Sequence, residues 1–161
     1  MEYKIRLIRS EDNEAISHII KSTLEELDCA LEGTVYTDRE TDHMYENYQK
    51  DGTVYYVAES NGMILGGAGI APIANQSENY CELQKMYLIK EMRGFGIGKA
   101  LMEKCLEFAR EQGYELIYLE TFGTMTDAQI FYKHAGFDYI DHPMGDTGHF
   151  SCDVYMAMSL K

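Results

Sequence analysis

The segment MYLIKEMRGFGIGKALM, residues 86–102, joins the end of an apolar run to a glycine-rich turn and an amphipathic pattern. Glycines stand at positions 94, 96 and 98, and the apolar pair Leu101 and Met102 follows after two further residues. At a helix start the free backbone N–H groups and the positive end of the helix dipole face outward, and glycine lets an anion reach them. The segment therefore predicts a strand, a turn that binds phosphate or pyrophosphate, and a helix over about 98–112.

Glycine spacing separates several kinds of phosphate site. A P-loop needs four residues between its glycines and Ser or Thr after its lysine, whereas three residues separate Gly94 from Gly98 and Ala100 follows Lys99. A dinucleotide fingerprint needs glycine where Lys99 stands. Its first glycine also closely follows the strand, whereas here five residues separate Leu88 from Gly94. Glu120, about twenty residues further on, is the feature that keeps the dinucleotide interpretation open.

Outward from the turn, strand and helix patterns alternate along the chain. Residues 3–8 alternate as a strand does, and Asn61-Gly62 between two apolar runs indicates a hairpin. Further strands are predicted at 80–88, 116–122 and 150–160, and further helices at about 16–27, 41–49 and 126–135. The resulting β-α-α-β-β-β-α-β-α-β order predicts a mixed α/β sheet with helices on both faces, in one domain over residues 1–161.

Composition excludes several classes of partner. A formal charge of −13 opposes binding to nucleic-acid phosphates. The N-terminus lacks the apolar run of a signal peptide, and no run of about 18 apolar residues exists to span a bilayer. We therefore expect a cytoplasmic protein that binds neither nucleic acid nor membrane.

The cysteines and histidines show no metal-ligand spacing. Four cysteines lie far apart without a Cys-x-x-Cys pair, and five histidines lack the close helical pairing of metalloproteases. We expect reduced, mostly buried thiols and no metal site.

One pattern fits the turn at every position: Arg93-x-x-Gly96-x-Gly98 resembles the Arg/Gln-x-x-Gly-x-Gly/Ala signature of the GNAT acetyltransferase superfamily. The resemblance extends over about 60 residues, through the strand ending at Leu88 to Ala128-x-x-Phe131-Tyr132-x-x-x-Gly136-Phe137. The hairpin and the N-terminal strand and helix also stand where the family has them. Residues 28–50 and 138–150 match nothing specific.

The resemblance implies an acetyl-CoA-dependent N-acetyltransferase with a mostly antiparallel sheet and one splayed parallel strand pair. The splayed strand would pair its backbone with the pantetheine arm of acetyl-CoA through Met86, Tyr87 and Leu88. The residues implied to receive the pyrophosphate are Arg93, Gly94, Phe95, Gly96, Ile97, Gly98 and Lys99.

The family's reaction is direct attack of a primary amine on the acetyl thioester in a ternary complex. Tyr132 occupies the position of the tyrosine that protonates the coenzyme A thiolate, and a backbone N–H near Tyr87 or Leu88 would stabilise the oxyanion. Glu82 and Glu120 match glutamates that serve as base in different members, and a water chain is the third alternative.

Simpler structural roles compete with these catalytic ones. Tyr132 would otherwise belong to a helical core stripe, and either glutamate would be an ordinary strand-end carboxylate. Period two also places Glu82, Gln84 and Met86 on one face of the strand.

The chain departs from the family in one position: Met125 stands where many members have an asparagine that helps hold the cofactor. Thr124, Thr126 and Gln129 are the candidate replacements. We expect a weaker contact to the cofactor at this helix start.

The acceptor side carries an acidic segment. Eight carboxylates and one base, Arg39, lie between Glu25 and Glu46, and Tyr36, Tyr45 and Tyr48 would add cation–π contacts. This composition favours a small cationic amine or a basic peptide as acceptor. A solvated acidic face with core tyrosines explains the same residues. His149, near the chain's last loop, is a minor candidate for a local base.

Two functions from other classes remain. A noncatalytic acyl-CoA-binding sensor would keep the glycine turn without needing Tyr132 or Glu82, and a nucleotide-binding oxidoreductase would use Glu120 on a ribose. The resemblance is also compatible with a homodimer.

Overall fold

The computed structural model describes all 161 residues. The strands are β1 (Lys4–Leu7), β2 (Val54–Ser60), β3 (Met63–Pro72), β4 (Tyr80–Leu88), β5 (Leu116–Thr121), β6 (Asp138–Ile140) and β7 (Val154–Ser159). The helices are α1 (Asn13–Glu26), α2 (Met44–Asn47), α3 (Ile97–Glu111) and α4 (Thr126–Ala135). No helix is both long enough and apolar enough to span a membrane.

The strands form one seven-stranded sheet in the order β1-β2-β3-β4-β5-β7-β6. Every neighbouring pair is antiparallel except β4 and β5. These two run parallel and pair only where Tyr80–Glu82 meets Leu116–Tyr118. Beyond Glu82 they separate, which leaves one backbone edge of β4 without a strand partner. The predicted mixed sheet with a splayed parallel pair is confirmed.

The predicted hairpin is also confirmed. Asn61 and Gly62 connect β2 to β3 with φ values of 50° and 80°. A two-residue turn of this kind needs positive φ at both positions, which Asn and Gly adopt at low cost.

Helices cover both faces of the sheet, as predicted. On one face, Leu101 and Cys105 of α3 are fully buried against the strands. On the other, Ile16, Ile20 and Leu24 of α1 are buried together with Met44 of α2. All four cysteines are free thiols and three are buried, which agrees with the expectation from their spacing.

The C-terminal region differs from the prediction in two places. The three-residue strand β6 lies in a segment for which no strand was predicted, because three residues are too few to show alternation. It forms through pairing with β7, with Asp138 opposite Ala157. The last strand begins at Val154 rather than at residue 150, since Phe150 lies in a turn with its ring against the backbone of Gly33.

A β-bulge changes the side-chain pattern of β4. Gly69 of β3 lies opposite Gln84 and Gly67 lies opposite Tyr87, so β4 has one residue more than β3 in this interval. Lys85 absorbs the extra residue with a φ of 49°. The prediction that Glu82, Gln84 and Met86 share a face is therefore wrong: Lys85 joins Gln84 beside Tyr48, and Met86 packs into the core under α3.

Candidate active site

A cleft opens where β4 and β5 separate. Its walls come from β4, β5 and α4, with contributions from residues near 34 and 149. Glu82, Glu120 and Tyr132 all line it, together with Met86 and Tyr87. Residues predicted for catalysis from three separate segments thus meet in one place. Leu88 and the glycine turn lie outside this lining, at the end of β4 and the start of α3.

Glu82 is buried at the point where the strands part, with 5% of its surface exposed. Its carboxylate accepts a hydrogen bond of 3.0 Å from Gln84 Nε2, and Gln84 in turn accepts one of 2.6 Å from the Tyr48 hydroxyl. Burial raises the Glu82 pKa to about 7, with the charge of Glu120 adding to the rise and the Gln84 bond opposing it. A carboxyl with such a pKa exchanges protons readily at neutral pH.

The Glu120 side chain is 4% exposed and has more hydrogen-bond partners than that of Glu82. Its carboxylate accepts hydrogen bonds from the Tyr118 hydroxyl at 2.7 Å and from Thr147 Oγ1 at 2.8 Å. His149 Nδ1 lies 3.9 Å from the same carboxylate. Because both oxygens have polar neighbours, Glu120 is suited to act as a fixed negative charge beside Glu82.

His149 links the loop before β7 to the segment between α1 and α2. Its Nε2 lies 2.7 Å from Asp38 Oδ2, although 111 residues separate the two in sequence. Burial alone lowers the His149 pKa, but the hydrogen bond to Asp38 and the charge of that carboxylate outweigh it and raise the pKa. Sequence reasoning did not single out Asp38, since no local pattern points to a partner so distant.

Three of these side chains form a group that could hold a metal ion. Glu82, Glu120 and His149 each offer one potential ligand atom, and these atoms lie within 4.8 Å of one another. The three residues stand far apart in the sequence, so no local spacing pattern marks this grouping. The absence of a metal site stays a prediction.

Tyr132 reaches the cleft from α4. Its ring packs edge-on against Phe131 and Phe137, with centroids 5.7 and 6.0 Å away. Burial raises its pKa to about 12, so the phenol keeps its proton throughout the physiological range. The Tyr132 hydroxyl makes no hydrogen bond within the chain and is not sealed from solvent, which leaves its proton available to a bound molecule.

The glycine turn forms an open anion cradle at the start of α3. Gly94 and Gly96 have φ values of 84° and 82°, and a Cβ on either would meet no atom within 4 Å. The backbone N–H groups of Ile97, Gly98 and Lys99 donate to no carbonyl in the chain. Because α3 has fifteen residues, its dipole and these free donors favour a phosphate at this end.

The two cations of the turn differ in their surroundings. Arg93 donates to the carbonyl of Leu88 at 3.2 and 3.3 Å and pairs with Glu26 at 3.3 Å, so it ties the end of β4 to α1. The Lys99 side chain is 78% exposed and lies 3.8 Å from Glu103. Lys99 is therefore the more mobile cation beside the cradle.

Met125 stands at the N-cap of α4 and provides no capping hydrogen bond. The Gln129 amide, one candidate replacement for the family's asparagine, donates to the carbonyls of Phe122 at 2.9 Å and Gly123 at 3.2 Å. Gln129 thus secures the loop before α4 with its side-chain amide.

Most of the acidic segment lies away from the cleft. Three of its eight carboxylates have polar partners elsewhere: Glu25 accepts from Tyr36, Glu26 pairs with Arg93, and Glu46 accepts from Asn13. From this segment Thr34 and Val35 line the cleft, and Asp38 and Glu40 lie behind its lining, beside His149 and Lys85. The carboxylates that line the cleft directly, Glu82 and Glu120, lie on the sheet.

Known proteins with similar sequences identify the family of this chain. Residues 20–137 match the profile of the acetyltransferase (GNAT) family. An uncharacterized N-acetyltransferase of Escherichia coli, YjgM, is 38% identical over 97% of this chain and 94% of its own length. The chain belongs to the GNAT acetyltransferase family and is an acyltransferase enzyme. It also matches N-acetyltransferase 8B of human and rat, at 36% identity over 53% and 57% of this chain, and spans 39% and 43% of their length.

Solved structures share the fold. A GNAT-family acetyltransferase from Staphylococcus aureus superposes with a TM-score of 0.83 at 24% identity, covering 99% of this chain and 100% of that one. The acetyltransferase yncA from Salmonella typhimurium, solved with its cofactor acetyl-CoA, gives a TM-score of 0.77 at 20% identity, covering 100% of this chain and 95% of that one.

Proposed function

We propose that this chain uses acetyl-CoA to acetylate a primary amine by direct attack in a ternary complex. The observation that carries the proposal is the splay of β4 from β5. Glu82, a buried carboxyl with a pKa of about 7, lies where the strands part, and the Tyr132 hydroxyl lies on the wall of the cleft. These are the two proton-transfer groups that such a reaction needs.

Two features fit acetyl-CoA. The unpaired edge of β4 offers backbone groups to an extended pantetheine arm at Met86, Tyr87 and Leu88. The open cradle over residues 93–99 offers free N–H groups to the pyrophosphate, and Lys99 adds a mobile positive charge. When bound, acetyl-CoA supplies an activated acetyl thioester.

Glu82 is the proposed base. An acceptor amine enters largely as its ammonium ion and must lose a proton before its nitrogen attacks. Glu82 accepts that proton, because burial, with a further contribution from the charge of Glu120, raises its pKa to about 7, which suits proton transfer at neutral pH. The nitrogen then forms a bond to the acetyl carbon, and negative charge develops on the carbonyl oxygen.

Tyr132 and the backbone complete the reaction. A backbone N–H near Tyr87 or Leu88 would stabilise the oxyanion. As the carbon–sulfur bond breaks, Tyr132 gives its proton to the departing thiolate, and the products are an N-acetylated amine and coenzyme A. The nitrogen loses one proton to Glu82 before it attacks and a second as the tetrahedral intermediate collapses. One of these protons restores the Tyr132 hydroxyl and the other passes to solvent, so the protons balance over the cycle.

The remaining expectations from sequence belong to the same proposal. We infer a single catalytic domain over residues 1–161 that works in the cytoplasm, without a metal, and is compatible with a homodimer. The acceptor is a small primary amine that enters as a cation, attracted by Glu82 and Glu120 rather than by the 25–46 segment.

Thermal unfolding with acetyl-CoA, coenzyme A, NAD and ATP at equal concentration tests the cofactor. A ligand at about 100 times its dissociation constant stabilises by about 2.7 kcal/mol, which for a chain of this size raises Tm by several degrees. We expect this shift with the two coenzyme A species. A shift with NAD or ATP alone would mean that the turn binds a different phosphate ligand.

The cradle itself can be tested with a matched glycine pair. Gly96 and Gly113 stand at opposite ends of α3, with φ values of 82° and 81° and no atom within 4 Å of an added Cβ. Replacing either with alanine should cost about 1–2 kcal/mol of stability. Only Gly96→Ala should weaken coenzyme A binding, by about tenfold or more, measured by calorimetry. Equal binding by both variants would contradict the cradle.

A further inference from the structure

Lys85 is a buried cation in the wall of the cleft. Its side chain is 3% exposed, yet it lies on a strand among residues that face the opening. Removing an ammonium group from water is costly unless other groups replace its hydration. The bulge in β4 is what turns Lys85 to this side of the sheet.

The chain supplies little to replace that hydration. The Lys85 ammonium carries three donors, but its nearest carboxylate oxygen, on Glu40, lies at 3.7 Å, and the Glu40 side chain is 61% exposed. The Tyr48 ring contributes a weak contact, with its centroid 5.9 Å away. No hydrogen bond within the chain satisfies the ammonium group, and no buried polar atom is left sealed and unpaired. The Lys85 donors therefore face the accessible space of the cleft.

Carboxylates face the same cleft. Glu82 and Glu120 lie where the strands part, with Asp38 beyond His149. The charge of Lys85 acts on both Glu82 and His149, which places all three around one space. An occupant of this space meets carboxylates at one end and a poorly satisfied ammonium at the other.

We propose that the acceptor is an amino carboxylate, whose amine is deprotonated by Glu82 and whose carboxylate binds Lys85. This inference rests on the proposed function and names its substrate class. A free carboxylate would give Lys85 the charge-assisted hydrogen bonds that the chain does not provide. A polyamine or a lysine-rich peptide would instead bring a second cation against Lys85. Glu82 and Lys85 line the same cleft, so one small molecule carrying both an amine and a carboxylate would meet both groups.

The experiment compares matched acceptors by thiol release from acetyl-CoA. The panel contains free amino acids, the corresponding carboxamides, and the amines that lack the carboxyl group. We expect the preferred amino acid to exceed its carboxamide by about tenfold or more in kcat/KM, the size of a lost charge-assisted hydrogen bond. Lys85→Met should remove this preference mainly through KM. Lys104→Met, on the exposed side of α3, should leave the preference unchanged.

A second variant does not depend on a buried substitution. Glu40 is exposed and is the only carboxylate paired with Lys85. Glu40→Gln should lower KM for the amino acid and leave KM for the carboxamide unchanged, because it removes a competitor for the Lys85 ammonium.

The outcomes separate the two proposals. Faster acetylation of diamines, basic peptides or carboxamides than of amino acids would overturn the acceptor class and leave the proposed function intact. A Lys85→Met variant that loses the same factor on amino acid and carboxamide would also overturn it. If no amine releases thiol and acetyl-CoA does not raise Tm, the proposed function fails, and the acceptor class fails with it.

Discussion

Glu82→Gln is expected to lower kcat/KM by about 10²–10⁴-fold, the usual loss when a positioned base is removed. Glutamine has nearly the same shape and keeps a polar group beside Gln84, but it cannot accept the amine's proton. Thiol release with saturating acetyl-CoA measures the effect. Glu111→Gln, at the exposed end of α3, is the control and should behave as wild type.

The pH profile identifies Glu82 more specifically than the rate loss does. Glu82 must be ionised to accept a proton, so wild-type kcat/KM should rise with pH through an apparent pKa of about 7. Glu120→Gln should move this limb to lower pH, because it removes a charge that raises the Glu82 pKa. A Glu82→Gln enzyme that keeps both its rate and the limb near pH 7 would assign the base elsewhere.

Stability measurements separate loss of the base from loss of the fold. Burial raises the Glu82 pKa above its ordinary value of 4.5, so the folded chain binds this proton more tightly than the unfolded chain. The carboxyl's contribution to stability therefore declines as pH rises from about 4.5 to 7 and stays unfavourable above that range. Glu82→Gln should consequently unfold at the same temperature as wild type or higher at pH 8.

The elements that the sequence predicted well are those with a local physical signal. The helix at 97–111 follows from an apolar stripe and from the glycines that precede it, and the β2–β3 hairpin follows from Asn61-Gly62. Strand β6 has no such signal and exists only because β7 lies beside it. The splay of β4 from β5 came from the family resemblance, since separation of two strands leaves no periodic pattern.

The residues of the candidate site also fall into those with a local sequence signal and those without one. Glu82, Glu120 and Tyr132 each stand in a recognisable strand or helix motif, and the cleft contains all three. The bulge at Lys85 was not predictable, because a lysine in left-handed backbone gives no sequence signal. The Asp38–His149 pair depends on contact between two distant loops. The fate of each carboxylate in the 25–46 segment was not predictable either, because it depends on partners elsewhere in the fold, such as Arg93 for Glu26 and His149 for Asp38.

Tyr132→Phe should reduce kcat by about 10²–10⁴-fold while leaving the dissociation constant of acetyl-CoA unchanged. Phenylalanine keeps the ring that packs against Phe131 and Phe137, and the lost hydroxyl makes no hydrogen bond within the chain. Stopped-flow or steady-state thiol release gives the rate, and calorimetry gives the affinity. Because burial raises the Tyr132 pKa to about 12, loss of its proton should not limit wild-type activity between pH 6 and about 10.

Tyr139→Phe is the matched control for this prediction. Tyr139 also carries a single hydroxyl near α4, but it donates to Gln129 on the exposed surface at 3.0 Å, so its loss should leave kcat unchanged. Unchanged turnover in Tyr132→Phe would mean that Tyr132 serves only in packing and that water protonates the thiolate. Lost turnover with intact acetyl-CoA binding distinguishes an enzyme from a sensor, because a sensor needs the cofactor site but has no use for a proton donor beside the thioester.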